Sequence, residues 1–341
     1  MFPIPPNESA AAPAVPEALA PLVVILGPTA SGKSALAVSL AERFGGEVLA
    51  CDSTQVYRGF DIGTAKPTLE ERRGVPHHLL DIVEPSAVFT AGEYRRQALN
   101  VLADLRSRNR LPILTAGTGL YLRALLEGLA EAPERSDALR ARLQESAERH
   151  GGNQYLHRML RRLDPVTAAR ISPNDTQKLI RALEICLLAG KPVADVHRAG
   201  RAPLEGYAIL KLGLNPPRAA LYDRIGLRVQ QMLDQGWLEE VAALLRNGTP
   251  LSAKPFEFLG YRELRDHLEG GTPSPKVIEA IAQDTRRYAK RQFTWFRKES
   301  GVRWLAGFGD DQHVLQSALS AIETRFPALA GMHAPHSGQL A

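Results

Sequence analysis

Gly27-Pro28-Thr29-Ala30-Ser31-Gly32-Lys33-Ser34 is a G-x-x-x-x-G-K-S run set between an apolar stretch, Leu22 to Leu26, and a helical pattern from Ser34 to Phe44. Strand, glycine-rich turn and helix in that order make a phosphate-binding loop. The glycines let the backbone curl so that its N–H groups face inward, and the following helix adds the positive end of its dipole. Lys33 supplies a mobile charge, and the Ser34 hydroxyl is a candidate ligand for magnesium. The loop alone leaves open whether its phosphates belong to a nucleotide.

Outward from the loop, the first helix closes at Gly45-Gly46, and Glu47 to Cys51 reads as a short strand running into Asp52-Ser53. Asp52 therefore emerges at a strand's carboxyl end, the edge of an open parallel sheet where ligands sit. A strand-end Asp is also a common helix cap. His77 to Ile82 reads as another strand, Ala91 to Arg106 as a helix, and Leu111 to Thr115 as a buried strand leading into Ala116-Gly117-Thr118-Gly119. A nucleotide hydrolase would carry an acidic residue at the end of such a strand to hold magnesium. Here the strand ends in Gly117-Thr118, which shifts weight away from nucleotide hydrolysis.

The 341 residues are enough for a sizeable core and two domains. A hydrophobic fraction of 44% with 23% charged residues is that of a globular chain. Cys51 and Cys186, far apart, make neither a disulfide framework nor a zinc site, and the nine histidines show no ligand spacing. His77 and His78 read as structural. The first twenty residues are rich in Pro and Ala with no Lys or Arg, unlike a secretory or transit peptide, and read as a disordered leader. Pro327 to Ala341 reads as a frayed tail. No apolar run has the length of a membrane span, and a cytoplasmic compartment fits best.

Residues 130–205 are helical in pattern throughout, broken at Gly151-Gly152 and Pro173-Asn174-Asp175, and look like an insertion. Tyr207 to Leu214 restores a strand, and Pro216-Pro217 opens a helix that ends near Gly236. A last long helix runs to about Lys298. From Lys276 to Arg303 there are eight basic residues against three acidic ones. On an ideal helix Arg286, Arg287, Lys290, Arg291, Arg297 and Lys298 fall in one sector about 140° wide, with Tyr288, Gln292, Trp295 and Phe296 beside it. Such a face is either solvated surface over an aromatic core contact or a single-stranded nucleic-acid platform.

These readings give an α/β fold: a P-loop NTPase-like parallel sheet flanked by helices, with a mostly helical insertion domain. Its parts are a leader (1–20), the first part of the core (21–129), the insertion (130–205), the second part of the core with the basic helix (206–326) and a tail (327–341).

The sequence closely resembles the tRNA dimethylallyltransferases, also called tRNA isopentenyltransferases. The stretches that carry the resemblance are GPTASGKS at 27–34, CDSTQVYRGFDIGTAKP at 51–67, HHLLDI at 77–82, AGTGLYLRALLEGL at 116–129, SPNDTQKLIRALEI at 172–185, LGYRE at 259–263 and KRQFTWFRK at 290–298. With two cysteines the chain lacks the zinc finger of eukaryotic members and resembles the bacterial form.

The resemblance implies transfer of a dimethylallyl group from dimethylallyl diphosphate to the exocyclic amine of adenosine 37 of tRNA, with magnesium, by a monomer. It makes Asp52 the general base, Thr118 a holder of the amine, and the phosphate loop (Gly27, Pro28, Thr29, Ala30, Ser31, Gly32, Lys33, Ser34) the cradle of the leaving diphosphate. Contact with tRNA, at the anticodon stem-loop, is implied for Asp52, Ser53, Thr54 and Gln55, for Thr118 and Arg140, and for Gln177, Lys178, Leu179, Ile180 and Arg181. It is implied also for Glu257, Phe258, Leu259, Gly260, Tyr261 and Arg262, and for Lys290, Arg291, Gln292, Phe293, Thr294, Trp295, Phe296 and Arg297. Arg224 and Arg228 are further candidates for the diphosphate. Two alternatives remain: a P-loop small-molecule kinase, which would turn over ATP without RNA, and an RNA-binding protein whose phosphate loop is only structural.

Overall fold

The computed structural model describes residues 19–130, 132–198, 201–268 and 273–331. The N-terminal leader to residue 18 and the tail from 332 lie outside the described residues. The chain forms two compact units, Leu126–Leu204 and the remainder on either side of it.

In the larger unit, β1 (Ala20–Leu26) feeds α1 (Lys33–Phe44), which is followed by β2 (Gly46–Cys51), a single turn α2 (Leu69–Arg72), β3 (His77–His78), α3 (Ala91–Ser107), β4 (Leu111–Ala116) and α4 (Gly119–Glu127). All strand pairings are parallel, in the order β3-β2-β4-β1, and the sheet is continued beyond β1 by two later strands. Both faces are covered, so β1 is an unbroken apolar run, with Leu22 to Leu26 fully buried. Val23 and Ile25 face a core shared with Leu36, Leu40 and Phe44 of α1.

The expected strand His77 to Ile82 is only two residues long. Leu79 (φ 64°) and Asp81 (φ 54°) take left-handed backbone that no strand can contain. The Asp81 carboxylate instead accepts from Lys66 Nζ at 2.5 Å, together with Asp61 at 2.5 Å and the Tyr57 carbonyl at 2.9 Å.

The smaller unit holds α5 (Asp137–His150), α6 (Asn153–Leu163), α7 (Pro165–Ala168), α8 (Thr176–Ala189) and α9 (Val193–Arg198). Leu143, Leu156, Leu160, Leu179, Ile180 and Leu183 fill its centre. Two carboxylates are buried there, Asp164, which accepts the Thr167 and Val193 N–H groups, and Glu184. Glu184 accepts from Arg140 (3.0 and 2.9 Å), Arg181 (2.5 Å) and the Ser136 N–H (2.7 Å).

The chain returns to the sheet through β5 (Tyr207–Leu214), beside β1, and continues with α10 (Arg218–Asp234), α11 (Trp237–Arg246), α12 (Tyr261–Arg265), α13 (Pro275–Phe296), β6 (Val302–Leu305) and α14 (Gln312–Arg325). β6 and α14 lie within the 206–326 core of the sequence reading, which names no element there after the basic helix. β6 has only four residues and no alternation long enough to register as a pattern. α14 nonetheless buries Val314, Ala318 and Ile322 against the sheet's first face. Pro327–Leu329, expected in a frayed tail, instead form a 3-10 turn with Leu329 buried in the same core. A satellite core joins Val56, Tyr57 and Phe60 from the segment after β2 to Trp237, Phe256, Tyr261 and Ile281 from α10 to α13. Among the described residues no helix is long and apolar enough to cross a membrane.

Burial works to raise the Glu184 carboxyl, and the hydrogen bonds from Arg140, Ser136 and Arg181 outweigh it, holding it down at about 2. A depressed carboxyl stabilises the fold above its unfolded value and loses that contribution as pH falls from about 4.5 towards 2. Arg140→Ala should therefore cost about 3 kcal/mol and bring on acid unfolding of the helical unit at higher pH. Thermal and acid titrations followed by circular dichroism check this, and an unchanged acid midpoint would contradict it.

Candidate active site

Strand register builds the site. Leu26 of β1 pairs with Ala116 of β4 and Gly213 of β5, and Cys51 of β2 pairs with the same Ala116. The residues that follow β1, β2 and β4, namely Gly27, Asp52 and Gly117, thus leave the sheet on one level at its carboxyl edge. The chain crosses to opposite sides of β1 before and after β4, so this edge is also where the order switches, the usual ligand crevice of such sheets.

Within the phosphate loop Ala30 (φ 64°) and Gly32 (φ 87°) take left-handed backbone, the alternation that turns successive N–H groups inward. α1 has no side-chain cap and no acid in its first turn, leaving its amides and dipole to an anion. Lys33 Nζ arches back to the carbonyls of Gly27 and Pro28, both at 2.9 Å. A turn after β6, Gly307 to Asp311, presses on the loop from outside: the Gly309 N–H donates to the Ser31 carbonyl at 2.8 Å, and a Cβ on Gly309 would meet the Gly32 carbonyl at 2.2 Å. Only glycine permits that approach.

Two arginines of α10, one turn apart, complete the donor side. Arg228 donates to the Thr29 hydroxyl at 2.6 Å, and Arg224 makes a bidentate pair with Asp310 at 2.8 and 2.9 Å. The sequence reading does not include the Asp310 partner, although the Gly-Phe-Gly-Asp-Asp run at 307–311 is a visible turn signal. Burial pushes Lys33 down to about 8, the Asp52 charge working against this and Arg228 adding to it. Burial and Arg224 push Arg228 down to about 10, again against Asp52. Two desolvated cations and one carboxylate therefore share a small space.

On the acceptor side Asp52 Oδ1 accepts from the Thr54 N–H (2.8 Å) and hydroxyl (2.6 Å). Oδ2 lies over Gly117, where a Cβ would sit 2.3 Å away. The Thr118 hydroxyl accepts the Ser53 N–H at 2.9 Å and lies 3.1 Å from the Ser53 hydroxyl. Gln292 of α13 spans the two halves: its Oε1 accepts the Thr29 N–H at 2.7 Å and its Nε2 donates to the Gly117 carbonyl at 2.8 Å.

The segment after Asp52 is held by side chains from α11 and α12. Glu240 accepts the N–H groups of Asp61 (3.0 Å) and Ile62 (2.8 Å) and the Tyr261 hydroxyl (2.6 Å), while burial keeps its carboxyl above the usual range. Gln55 donates to the carbonyls of Thr64 and Ala65.

Burial separates the remaining expected contact residues. Lys290, Arg291, Thr294, Trp295 and Arg297 are exposed on α13, as are Gln177 and Lys178 on α8 and Glu257 and Arg262 near α12. Phe293 and Phe296 are buried, Leu179 and Ile180 belong to the helical core, and Tyr261 and Gly260 pack with Trp237, so these side chains do not face solvent. Arg140, 15% exposed, is committed to Glu184, as is Arg181. Helical spacing could not separate these, because one motif mixes inward and outward positions. Nor are all six basic residues of the expected sector alike: Arg286 pairs with Glu279 and Arg287 with Asp284. Trp295 stands with its indole edge against Gly119 and its ring under the Arg123 guanidinium, 4.9 Å away. Both cysteines are buried and free.

A phosphate loop facing a carboxylate across one edge of a parallel sheet is the frame of a P-loop-type protein, and the similar proteins of known activity are transferases. The sequence model of the IPP transferase family matches residues 55–299, and the chain belongs to that family. It is 53% identical over 303 residues to the tRNA dimethylallyltransferase of Koribacter versatilis, covering 89% of this chain and 98% of that one. It is 48% identical to that of Geobacter metallireducens, covering 87% and 96%. Among solved structures it is similar to the tRNA isopentenylpyrophosphate transferase of Bacillus halodurans (38% identity, TM-score 0.63, 89% and 97% covered). It is also similar to a eukaryotic dimethylallyltransferase described as acting on tRNA (28% identity, TM-score 0.72, 89% and 78% covered). The kinase alternative is not favoured by these relatives.

An anion bound in the loop raises the Lys33 pKa from its free value of about 8, so binding takes up a proton above that pH. Affinity for an alkyl diphosphate should be level below about pH 7.5 and fall as pH rises beyond 8, and Lys33→Met should abolish the slope. Calorimetry in buffers of different ionisation heat reads both, and a flat profile to pH 9.5 would count against a titrating Lys33.

Proposed function

We propose that this chain transfers the dimethylallyl group of dimethylallyl diphosphate to the exocyclic amine of tRNA adenosine 37, beside the anticodon, giving N6-(dimethylallyl)adenosine and diphosphate. The observation that carries the reading is Asp52, held by Thr54 on the edge next to the phosphate loop, with its Oδ2 uncommitted to Thr54. The amine nitrogen attacks the first carbon of the donor, the carbon–oxygen bond breaks, and the electron pair leaves on the diphosphate. Asp52 takes the proton shed by the amine. Lys33, Arg228 and the loop amides stabilise the charge that develops on the leaving group. The Thr118 hydroxyl, oriented by Ser53, accepts from the amine and keeps it in line.

Magnesium fits the donor set. Among the described residues no three His, Cys, Asp or Glu side chains gather as a metal site, and Ser34 stands exposed at the start of α1. Ser34 would hold the ion through its hydroxyl, and magnesium ordinarily keeps waters and substrate phosphate in its remaining positions. It would supply charge neutralisation of the diphosphate. Because every group of the site comes from one chain, a monomer suffices, and the cytoplasm is where its tRNA would be met.

The exposed Lys290, Arg291, Arg297 and Lys298, with Trp295 among them, suit the backbone and bases of an unpaired anticodon loop. The target adenine must leave its stack to reach Asp52.

Incubating the protein with magnesium, radiolabelled dimethylallyl diphosphate and unmodified tRNA should place label on one adenosine of the digested RNA. ATP turnover on a small acceptor without labelled tRNA would overturn the reading. Asp52→Asn should lower kcat by about 10² to 10⁴ with tRNA affinity nearly intact. Separately, Arg291→Ala with Lys298→Ala should weaken tRNA binding and flatten its salt dependence by up to about two units of slope, whereas an unchanged slope would remove that face from the interface.

A further inference from the structure

Gln292 is 6% exposed on an inward strip of α13 otherwise made of Ala289, Phe293 and Phe296. A buried primary amide costs stability unless its hydrogen-bonding groups are satisfied, so a glutamine in such a strip is there for its partners. Those partners are the Thr29 N–H, accepted at 2.7 Å, and the Gly117 carbonyl, reached at 2.8 Å. Tyr288, one turn earlier, lies beside the same side chain and feels the Asp52 charge. The two backbone groups belong to opposite halves of the site. Thr29 is the loop residue whose hydroxyl takes Arg228, and Gly117 precedes Thr118, whose hydroxyl takes the Ser53 N–H next to Asp52.

We infer that Gln292 is a positioning residue that sets the distance between the diphosphate cradle and the Asp52–Thr118 pair by bridging the phosphate loop to the turn after β4. The inference rests on the transferase reading above and departs from the role the family resemblance implies for this position, direct contact with tRNA. With both ends of the amide engaged inside the protein, Gln292 acts through Thr29 and Gly117. In-line attack of the amine on the donor carbon needs the reacting atoms within about 3.5 Å and aligned, and a displacement of about 1 Å costs about 10²-fold in rate. Of the hydrogen bonds described, only the two made by Gln292 join these two pieces of backbone through a single side chain.

The test uses the full chain with Gln292→Met, which keeps length and loses both bonds, and Gln292→Glu. Each is assayed with magnesium, dimethylallyl diphosphate and unmodified tRNA, and equilibrium binding is measured separately for tRNA and for a non-transferable thiodiphosphate analogue. Gln292→Met should lower kcat by about 10²-fold while both affinities stay within about threefold of wild type. Gln292→Glu accepts from Thr29 but, when ionised, cannot donate to Gly117. Its kcat relative to wild type at the same pH should rise as pH falls and the acid regains a donor. That pH signature decides the matter if Gln292→Met proves unstable on thermal unfolding.

Wild-type kcat in both variants, or a loss confined to tRNA affinity, overturns the positioning role and leaves the transferase reading standing. Wild-type protein that prenylates no tRNA sinks both.

Discussion

The level ending of three parallel strands is the constraint on which the rest depends. Because Leu26, Cys51 and Ala116 are hydrogen-bonded neighbours in register, the residues that follow them are brought together without any long-range side-chain contact. A slip of one residue in any pair would turn that strand's side chains from one covered face to the other, and the close packing of differently shaped side chains on both faces of β1 makes such a slip costly. The catalytic geometry is thus inherited from the core. What the side chains add is fine adjustment, made by Gln292 across the edge and by Thr54 and Ser53 along it.

Charge follows from the same geometry. Lys33 and Arg228 are drawn out of water by the elements that crowd the loop, and both are pushed towards their neutral forms. Asp52 partly compensates them. A site in this condition gains more from an incoming anion than an exposed lysine would, because desolvation has already occurred and the attraction acts in a poorly screened space. In the proposed reaction the same two cations lose their compensation when Asp52 accepts the amine proton, at the moment when the leaving diphosphate carries its full charge. Arg224, 39% exposed, is spoken for by Asp310.

Holding the acceptor segment takes a second core. Residues 53–67 have little regular structure and would be free to wander if they only spanned a gap between strands. Instead Tyr57 and Phe60 are buried against Phe256, Phe258 and Tyr261, Trp237 lies flush on Gly63 and Gly260, and Glu240 and the buried Lys66 collect the backbone and acidic groups that remain. Buried polar groups of this kind are satisfied in only one arrangement, which makes the segment specific as well as stable.

Much of the molecule was legible in its sequence. The strand–loop–helix order around Gly27 to Ser34, the apolar runs of β1, β4 and β5, and the position of Asp52 after a strand depend on local pattern and near-neighbour chemistry, and local pattern is what a sequence displays. It also displayed the family, through motifs that run almost the length of the folded chain. Tertiary structure alone decided which residues within those motifs point outward. Phe293 and Trp295 are two positions apart, yet one is buried and the other exposed; Arg140 and Arg181 look available and are spent on Glu184. It alone ended β3 at His78, formed β6 and α14 after the basic helix, joined Arg224 to Asp310, and gave Gln292 its two backbone partners. Each of these depends on which distant residue fills the space next to a side chain, and that is a property of the packed chain, settled by burial and hydrogen-bond satisfaction together.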